Sequence, residues 1–295
     1  MNSRHLLRSA LLCLVCVACN PNYDMPGMFN GTSPEIAERF RDSRQYSDSV
    51  GVVHLNMPST DYRLFICTDS HIDTTHMGLE KFIRAYKADT HPHLAIHLGD
   101  LINAQGHFHH ADSILHLGGV MTTRQDTLFL TCGNHDLYFN QWADWQRLYG
   151  SSTYWFDTRR GDTLLELFIC IDTAEGTLGT DQLKWLKALL QSKKDAGYRR
   201  IIVFSHTHLF KQDNSQGHTS NLSMEETYEL TNLLTQAGVE YYLCGHDHSR
   251  ELTHYGGVTY LTVDACADEE TDPYYMVMDL GRQISYQFIS LLPRP

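Results

Sequence analysis

The stretch YRLFICTDSH, residues 62–71, runs from an apolar segment of strand length straight into Asp69 and His71, two residues apart. Four more segments repeat the pattern. LAIHLGD (94–100) ends in Asp100, and LFLTCGNHD (128–136) ends in Asn134, His135 and Asp136. IIVFSH (201–206) ends in His206, and VEYYLCGHDH (239–248) ends in His246 and His248. Short apolar runs alternate here with helix-like stretches, which is the signature of an α/β fold. In open α/β sheets the ligand site lies outside the carboxyl ends of the strands. Five such ends would therefore bring Asp69, His71, Asp100, Asn134, His206, His246 and His248 to one place.

Each residue type has a chemical reason to be there. Divalent ions of borderline hardness accept imidazole nitrogen and carboxylate oxygen together. A two-residue offset lets one turn aim both members of the 69/71 and 246/248 pairs at a site. A carboxylate has two oxygens and can bridge two ions; Asp100 is the natural candidate. Gly99, Gly133 and Gly245 directly precede ligand positions, where backbone has to turn tightly. No Ser-His-Asp or Cys-His pattern competes. The bland alternative, ordinary capping and turn residues at strand ends, has to account for all five segments at once.

In order, the motifs read DSH (69–71), GD (99–100), GNHD (133–136), SH (205–206) and GHDH (245–248). They resemble the calcineurin-like metallophosphoesterase family from about Tyr62 to Leu291. That resemblance implies a four-layer α/β/β/α sandwich of two mixed sheets. It implies two divalent ions, Mn, Fe, Zn or Co. One ion would take Asp69, His71, Asp100 and His248; the other would take Asp100, Asn134, His206 and His246, with Asp100 bridging. A hydroxide between the ions would attack phosphorus in line. His135 would be the catalytic group that protonates the leaving oxygen or stabilises the phosphoryl oxygens. The expected substrate is a small phosphate ester.

The sequence departs from some branches of the family. Protein Ser/Thr phosphatases continue the second motif with Asp then Arg, whereas here the stretch is GDLIN, with Asn103 at the Asp position. Purple acid phosphatases lack the first-motif His. The pattern resembles most the class III cyclic nucleotide phosphodiesterase-like branch, which is broad in substrate. No Arg adjoins a motif; Arg250 is the nearest cation. This favours diesters or broad specificity over a phosphomonoesterase. Asn103 and His208 are candidate substrate contacts, and Asp136 would either orient His135 or cap a helix. His97 reads as structural, while Trp142, Trp145 and Phe139 read as core. A competing reading from another class is a non-enzymatic, His-rich metal-binding lipoprotein, since the chain carries 18 histidines.

The remaining composition sets limits. With 23 Lys and Arg against 35 Asp and Glu, the formal charge is −12. No basic face for broad nucleic-acid binding is expected. Residues 1–19 carry Arg4 and Arg8, the apolar run ALLCLVCVA (10–18) and no acid, a lipoprotein-type signal peptide with Cys19 as the lipidation site. The implied location is exported, anchored in the periplasm or on the cell surface with membrane contact only through that lipid, or otherwise secreted. Cys67, Cys132, Cys170, Cys244 and Cys266 are expected as buried thiols, neither metal-binding nor redox-paired.

Residues 20–60 read as a polar lead-in, with a short helix from Ser33-Pro34 to Arg41, and 61–292 as the domain. A helix is expected after Thr180, stopped by Gly197. Another is expected from the capping box Ser223–Glu226 to Gly238. VTYLTV, YYMVMDL and ISYQFISL near the C-terminus read as three antiparallel neighbours.

Overall fold

The computed structural model describes residues 36–73, 75–118, 128–210 and 222–292. The signal-like segment 1–19 with Cys19, and the Ser33-Pro34 helix start, lie outside the described residues. Among the described residues no helix is long and apolar enough to cross a membrane.

Among the described residues twelve strands form two sheets. They are β1 (Val53–Asn56), β2 (Tyr62–Cys67), β3 (His93–His97), β4 (Leu128–Leu130), β5 (Tyr154–Arg160), β6 (Thr163–Cys170), β7 (Arg200–Phe204), β8 (Tyr241–Cys244), β9 (Glu251–Tyr255), β10 (Val258–Thr262), β11 (Tyr274–Leu280) and β12 (Ile284–Ser290). One sheet has the order β1-β5-β6-β7-β8-β10-β9 and the other β12-β11-β2-β3-β4. Both are mixed. Strands β6, β7, β8 and β10 run parallel in the first, and β2, β3 and β4 in the second.

Strand alternation builds the layers, because successive side chains leave opposite faces. On β2, Leu64 and Ile66 point between the sheets while Phe65 and Cys67 point to the outer helices. On β7, Ile202 and Phe204 face the inter-sheet core, and Ile201 and Val203 face outward. The outer face of the five-stranded sheet is covered by α2 (Met77–Ala88), α3 (Phe108–Gly118) and α4 (Trp142–Tyr149). The seven-stranded sheet is covered by α5 (Gly179–Lys193) and α6 (Met224–Ala237). The result is the expected α/β/β/α sandwich.

Helix α6 starts as the sequence predicts. Ser223 Oγ accepts from the Glu226 amide, and Gly238 closes the helix in the left-handed conformation. The Glu226 side chain does not complete the capping box; its Oε1 accepts from the Leu178 amide instead. Helix α5 ends at Lys193, one turn before Gly197.

Two sequence expectations change. VTYLTV is not a neighbour of the last two strands: β10 joins the other sheet, parallel to β8 and antiparallel to β9, a strand whose exposed, polar ELTHY hides it from pattern reading. Strands β11 and β12 do pair antiparallel. The loop 263–273 therefore crosses from one sheet to the other, over the site.

Residues 36–56, read from sequence as lead-in, pack onto the sandwich. Helix α1 (Ile36–Val50) runs past the predicted end at Arg41, and β1 pairs with β5. Arg39 is fully buried, with its guanidinium 3.1 Å from Asp172 and 2.6 Å from Glu175. A polar-looking helix thus carries a buried ion triad, which hydrophobic periodicity cannot reveal. Removing one member of such a group strands the others without solvent. Arg39→Met is expected to destabilise the protein by about 3–5 kcal/mol, read as a lower urea midpoint; an unchanged midpoint would detach α1 from the cooperative unit.

The five cysteines are buried and free, as expected.

Candidate metal centre

The C-terminal ends of β2, β3, β4, β7 and β8 converge, and every sequence-predicted ligand sits in the loop that follows one of them. The loops are tied to one another by backbone. The Asp69 amide donates to the Gly99 carbonyl at 2.9 Å, His71 to Asp100 at 3.1 Å, and Gly245 to His206 at 2.9 Å.

The ligand backbone is unusual. Seven described non-glycine residues have positive φ, and five are Asp69, His71, Asp100, His246 and His248. The other two, Phe139 and Asn140, follow the GNHD loop. Asp, Asn and His tolerate this region better than most residues, yet each costs of order 1 kcal/mol or more. Such strain persists only where surrounding structure enforces it. The glycines serve the same crowding: a Cβ on Gly133 would collide with the Asp100 amide and carboxylate, and one on Gly245 with Thr68 and Asp69.

Three groups of ligand atoms each lie within 4.8 Å of one another: Asp69, His71 and His248; Asp100, His206 and His246; and, between them, His71, Asp100 and His135. Asn134 Oδ1 joins the second group, 3.0 Å from His206 Nε2, while its Nδ2 donates to the Tyr138 hydroxyl at 2.9 Å. That second bond holds the amide in place beside the group.

Outer partners set the tautomers. His206 Nδ1 donates to the Leu98 carbonyl at 2.9 Å, and His248 Nδ1 to Glu270 Oε1 at 2.6 Å. Both leave Nε2 directed at the site, the usual arrangement of a ligating imidazole. His71 Nε2 and His248 Nε2 then face each other at 3.1 Å, and His206 Nε2 and His246 Nδ1 at 3.1 Å. Asp69 Oδ2 accepts from Thr68 Oγ1 at 2.5 Å and the His246 amide at 2.9 Å. Its buried Oδ1 has no hydrogen-bond partner and lies 3.4 Å from His248 Nε2. Converging acceptors with an orphaned carboxylate oxygen suit a cation, and the N/O donor set suits divalent ions of borderline hardness.

The electrostatics agree. Burial opposes a charge on His206, but Asp100, 3.3 Å away, and Asp69 outweigh it and lift its pKa to about 10. His248 is lifted to about 9, first by its ion pair with the Asp69 carboxylate 3.4 Å away and then by Glu270. Burial and the neighbouring His206 charge lower His246 to about 4. The pocket thus draws positive charge to two places, one in each outer ligand group.

His135 stands at the edge of both groups. Its amide donates to Asp100 Oδ1 at 2.8 Å, and its Nδ1 donates to the Asn103 carbonyl at 2.8 Å. Nε2 is therefore the atom left for the site. A neutral carbonyl replaces the acidic partner that the GDLIN stretch lacks. Asn103, His135 and Asn134 line a cavity of about 270 Å³ with His71, Asp100, His246, His248 and Glu269. His208 lies elsewhere, buried, its ring stacked on His246 with centroids 5.9 Å apart.

Several neighbours take roles that the motifs did not show. Asp136 neither orients His135 nor caps a helix; its carboxylate accepts from the Leu101, Ile102 and Gly133 amides and braces the Asp100 loop. Burial, then Asp100, pushes its pKa up to about 8. His97 accepts from the Gly99 amide and bonds Ser70, so it shapes the same loop. Trp142 and Trp145 are core, but Phe139 is about half exposed. Arg250 turns from the site to Asp264 at 3.3 Å and lies over the Tyr274 ring. Glu270, on the loop that crosses between sheets, had no sequence signal beyond a short acidic run. Glu270→Gln is expected to weaken metal affinity about 10–100-fold, as loss of an imidazole's outer partner does; unchanged affinity by calorimetry would show that Glu270 does not orient His248.

A family model described as calcineurin-like phosphoesterase matches residues 62–250. Curated proteins give no sequence match. Among solved structures, the chain is similar to a purple acid phosphatase from yellow lupin (Lupinus luteus), at 15% identity and TM-score 0.61, over 79% of this chain and 52% of that one. It is similar to GAP50, the anchor in the inner membrane complex of Plasmodium, at 17% identity and TM-score 0.58, over 79% and 85%. It also resembles a 5'-nucleotidase from Candida albicans, at 15% identity and TM-score 0.50, over 82% and 53%. The chain spans about half the length of the lupin and Candida proteins. At these identities the likeness is one of fold.

Proposed function

Because the chain belongs to the calcineurin-like phosphoesterase family, we propose that it is a two-metal hydrolase of phosphoric esters with a preference for diesters. The observation that carries this is the clustering at the strand ends of Asp69, His71 and His248 and of Asp100, His206 and His246, linked by the His71, Asp100 and His135 group, with Asn134 beside His206. One ion would be held by Asp69, His71, Asp100 and His248, the other by Asp100, Asn134, His206 and His246. Two divalent ions, when bound, supply a nucleophilic hydroxide at neutral pH and neutralise phosphoryl charge.

The chain's own residues do the rest. Thr68, Leu98, Tyr138 and Glu270 hold the ligand atoms in orientation. His135, anchored through Nδ1, presents Nε2 to the cavity and hands a proton to the departing alcohol oxygen. Diester preference is supported by the cavity lining: none of its described residues is Lys or Arg. A monoester dianion needs more positive charge than a diester monoanion, and Arg250 is engaged elsewhere. The mixed N/O ligation leaves Mn, Fe, Zn and Co as candidate ions. We further propose export by the segment 1–19 and anchoring through Cys19.

The test is a paired assay of bis(p-nitrophenyl) phosphate and p-nitrophenyl phosphate, with Mn²⁺ and with chelator. Faster, chelator-sensitive cleavage of the diester is expected. Faster monoester cleavage would make the protein a phosphatase. Two bound ions with no turnover of either ester would favour the competing reading, a metal-binding lipoprotein.

A further inference from the structure

One charged group in the cavity wall belongs neither to the ligand set nor to the His135 anchor. Glu269 lines the cavity together with His248 and His135 and is solvent-exposed. Its neighbour Glu270 is committed to His248, at 2.6 Å. Among the described residues Glu269 has no hydrogen bond or ion pair. Asp264, on the same loop, takes the Arg250 guanidinium at 3.3 Å. Among the described residues the cavity wall therefore offers a substrate one carboxylate outside the ligand set and no Lys or Arg.

A carboxylate there has a selective consequence. It repels a second phosphate or a dianionic monoester, and it attracts positive charge carried a few bonds from phosphorus. We propose that Glu269 is a specificity-determining residue selecting phosphodiesters in which one alcohol bears an ammonium group, such as a choline or ethanolamine ester. The proposal rests on the hydrolase reading above and names its substrate class. The reaction is ordinary hydrolysis. A water-derived oxygen forms a bond to phosphorus and the bond to the leaving alcohol oxygen breaks. The water's protons go to the leaving oxygen and to solvent. The ammonium group stays on the retained or the departing alcohol unchanged.

The experiment compares two diesters with the same leaving group, p-nitrophenyl phosphocholine and methyl p-nitrophenyl phosphate, on the metal-loaded full chain. The quantity read is the ratio of kcat/KM for the choline ester over the methyl ester. Glu269→Gln is expected to lower that ratio by up to about fivefold, the size of an exposed ion pair. Glu269→Lys is expected to lower it further and to raise the relative rate on p-nitrophenyl phosphate. Added salt should shrink the wild-type ratio and leave that of Glu269→Gln unmoved. A ratio identical in wild type and both variants, with the methyl ester cleaved, overturns this inference and leaves the hydrolase reading intact. Cleavage of neither ester by protein with metal bound overturns both.

Discussion

Asp100→Asn is expected to lower kcat/KM on a phosphodiester by more than about 10³-fold, since even loss of an outer partner costs 10–100-fold in affinity or activity. The substitution keeps the shape of the side chain. Its Oδ1 can still accept from the His135 amide, as the carboxylate does at 2.8 Å. What disappears is the negative charge beside His206 Nε2, 3.3 Å away, and the capacity to serve both ligand groups. The fold therefore provides an internal control. Metal should raise the melting temperature of wild type by mass action on the native state. The same metal should shift Asp100→Asn far less, while the metal-free proteins melt close together. Near-wild-type turnover in the variant would remove Asp100 from its bridging place. A large drop in the metal-free melting temperature would make its role structural.

His135→Ala is expected to slow turnover by about 10²-fold or more with metal still bound, the usual size of a general-acid contribution. The dependence on leaving group separates that role from charge stabilisation. A p-nitrophenolate needs little protonation to depart, whereas an alkoxide needs a proton. The loss should therefore be small on p-nitrophenyl esters and large on alkyl esters. Equal losses on both would place His135 on the phosphoryl oxygens instead. Loss of metal along with activity would mean that the loop itself had moved, because the His135 amide also holds Asp100.

The sequence was most legible where the physics is local. Five apolar runs ending in metal-binding side chains exposed both the parallel strands and the ligand set, because ligands at strand ends follow from sheet geometry. Ser223 and Gly238 marked α6 because caps are short-range. What stayed hidden depends on distant partners. Arg39 is buried because Asp172 and Glu175, more than a hundred residues away, receive it. β9 is exposed and polar, so no alternation betrays it, and β10 pairs between it and β8 in the other sheet. Asp136 lies inside a recognised motif, yet its task of holding three amides is visible only in three dimensions. Asn103 shows a related gap: its position was singled out for a side chain, but its backbone carbonyl is the atom that anchors His135.

The most direct test of the two-metal hydrolase is a titration of metal-stripped protein with Mn²⁺, following bound ions and hydrolysis of bis(p-nitrophenyl) phosphate together. The account predicts no turnover without metal and activity that saturates as the second ion per chain binds. Undiminished turnover by the metal-free protein, or two ions bound with no ester cleaved, would contradict it.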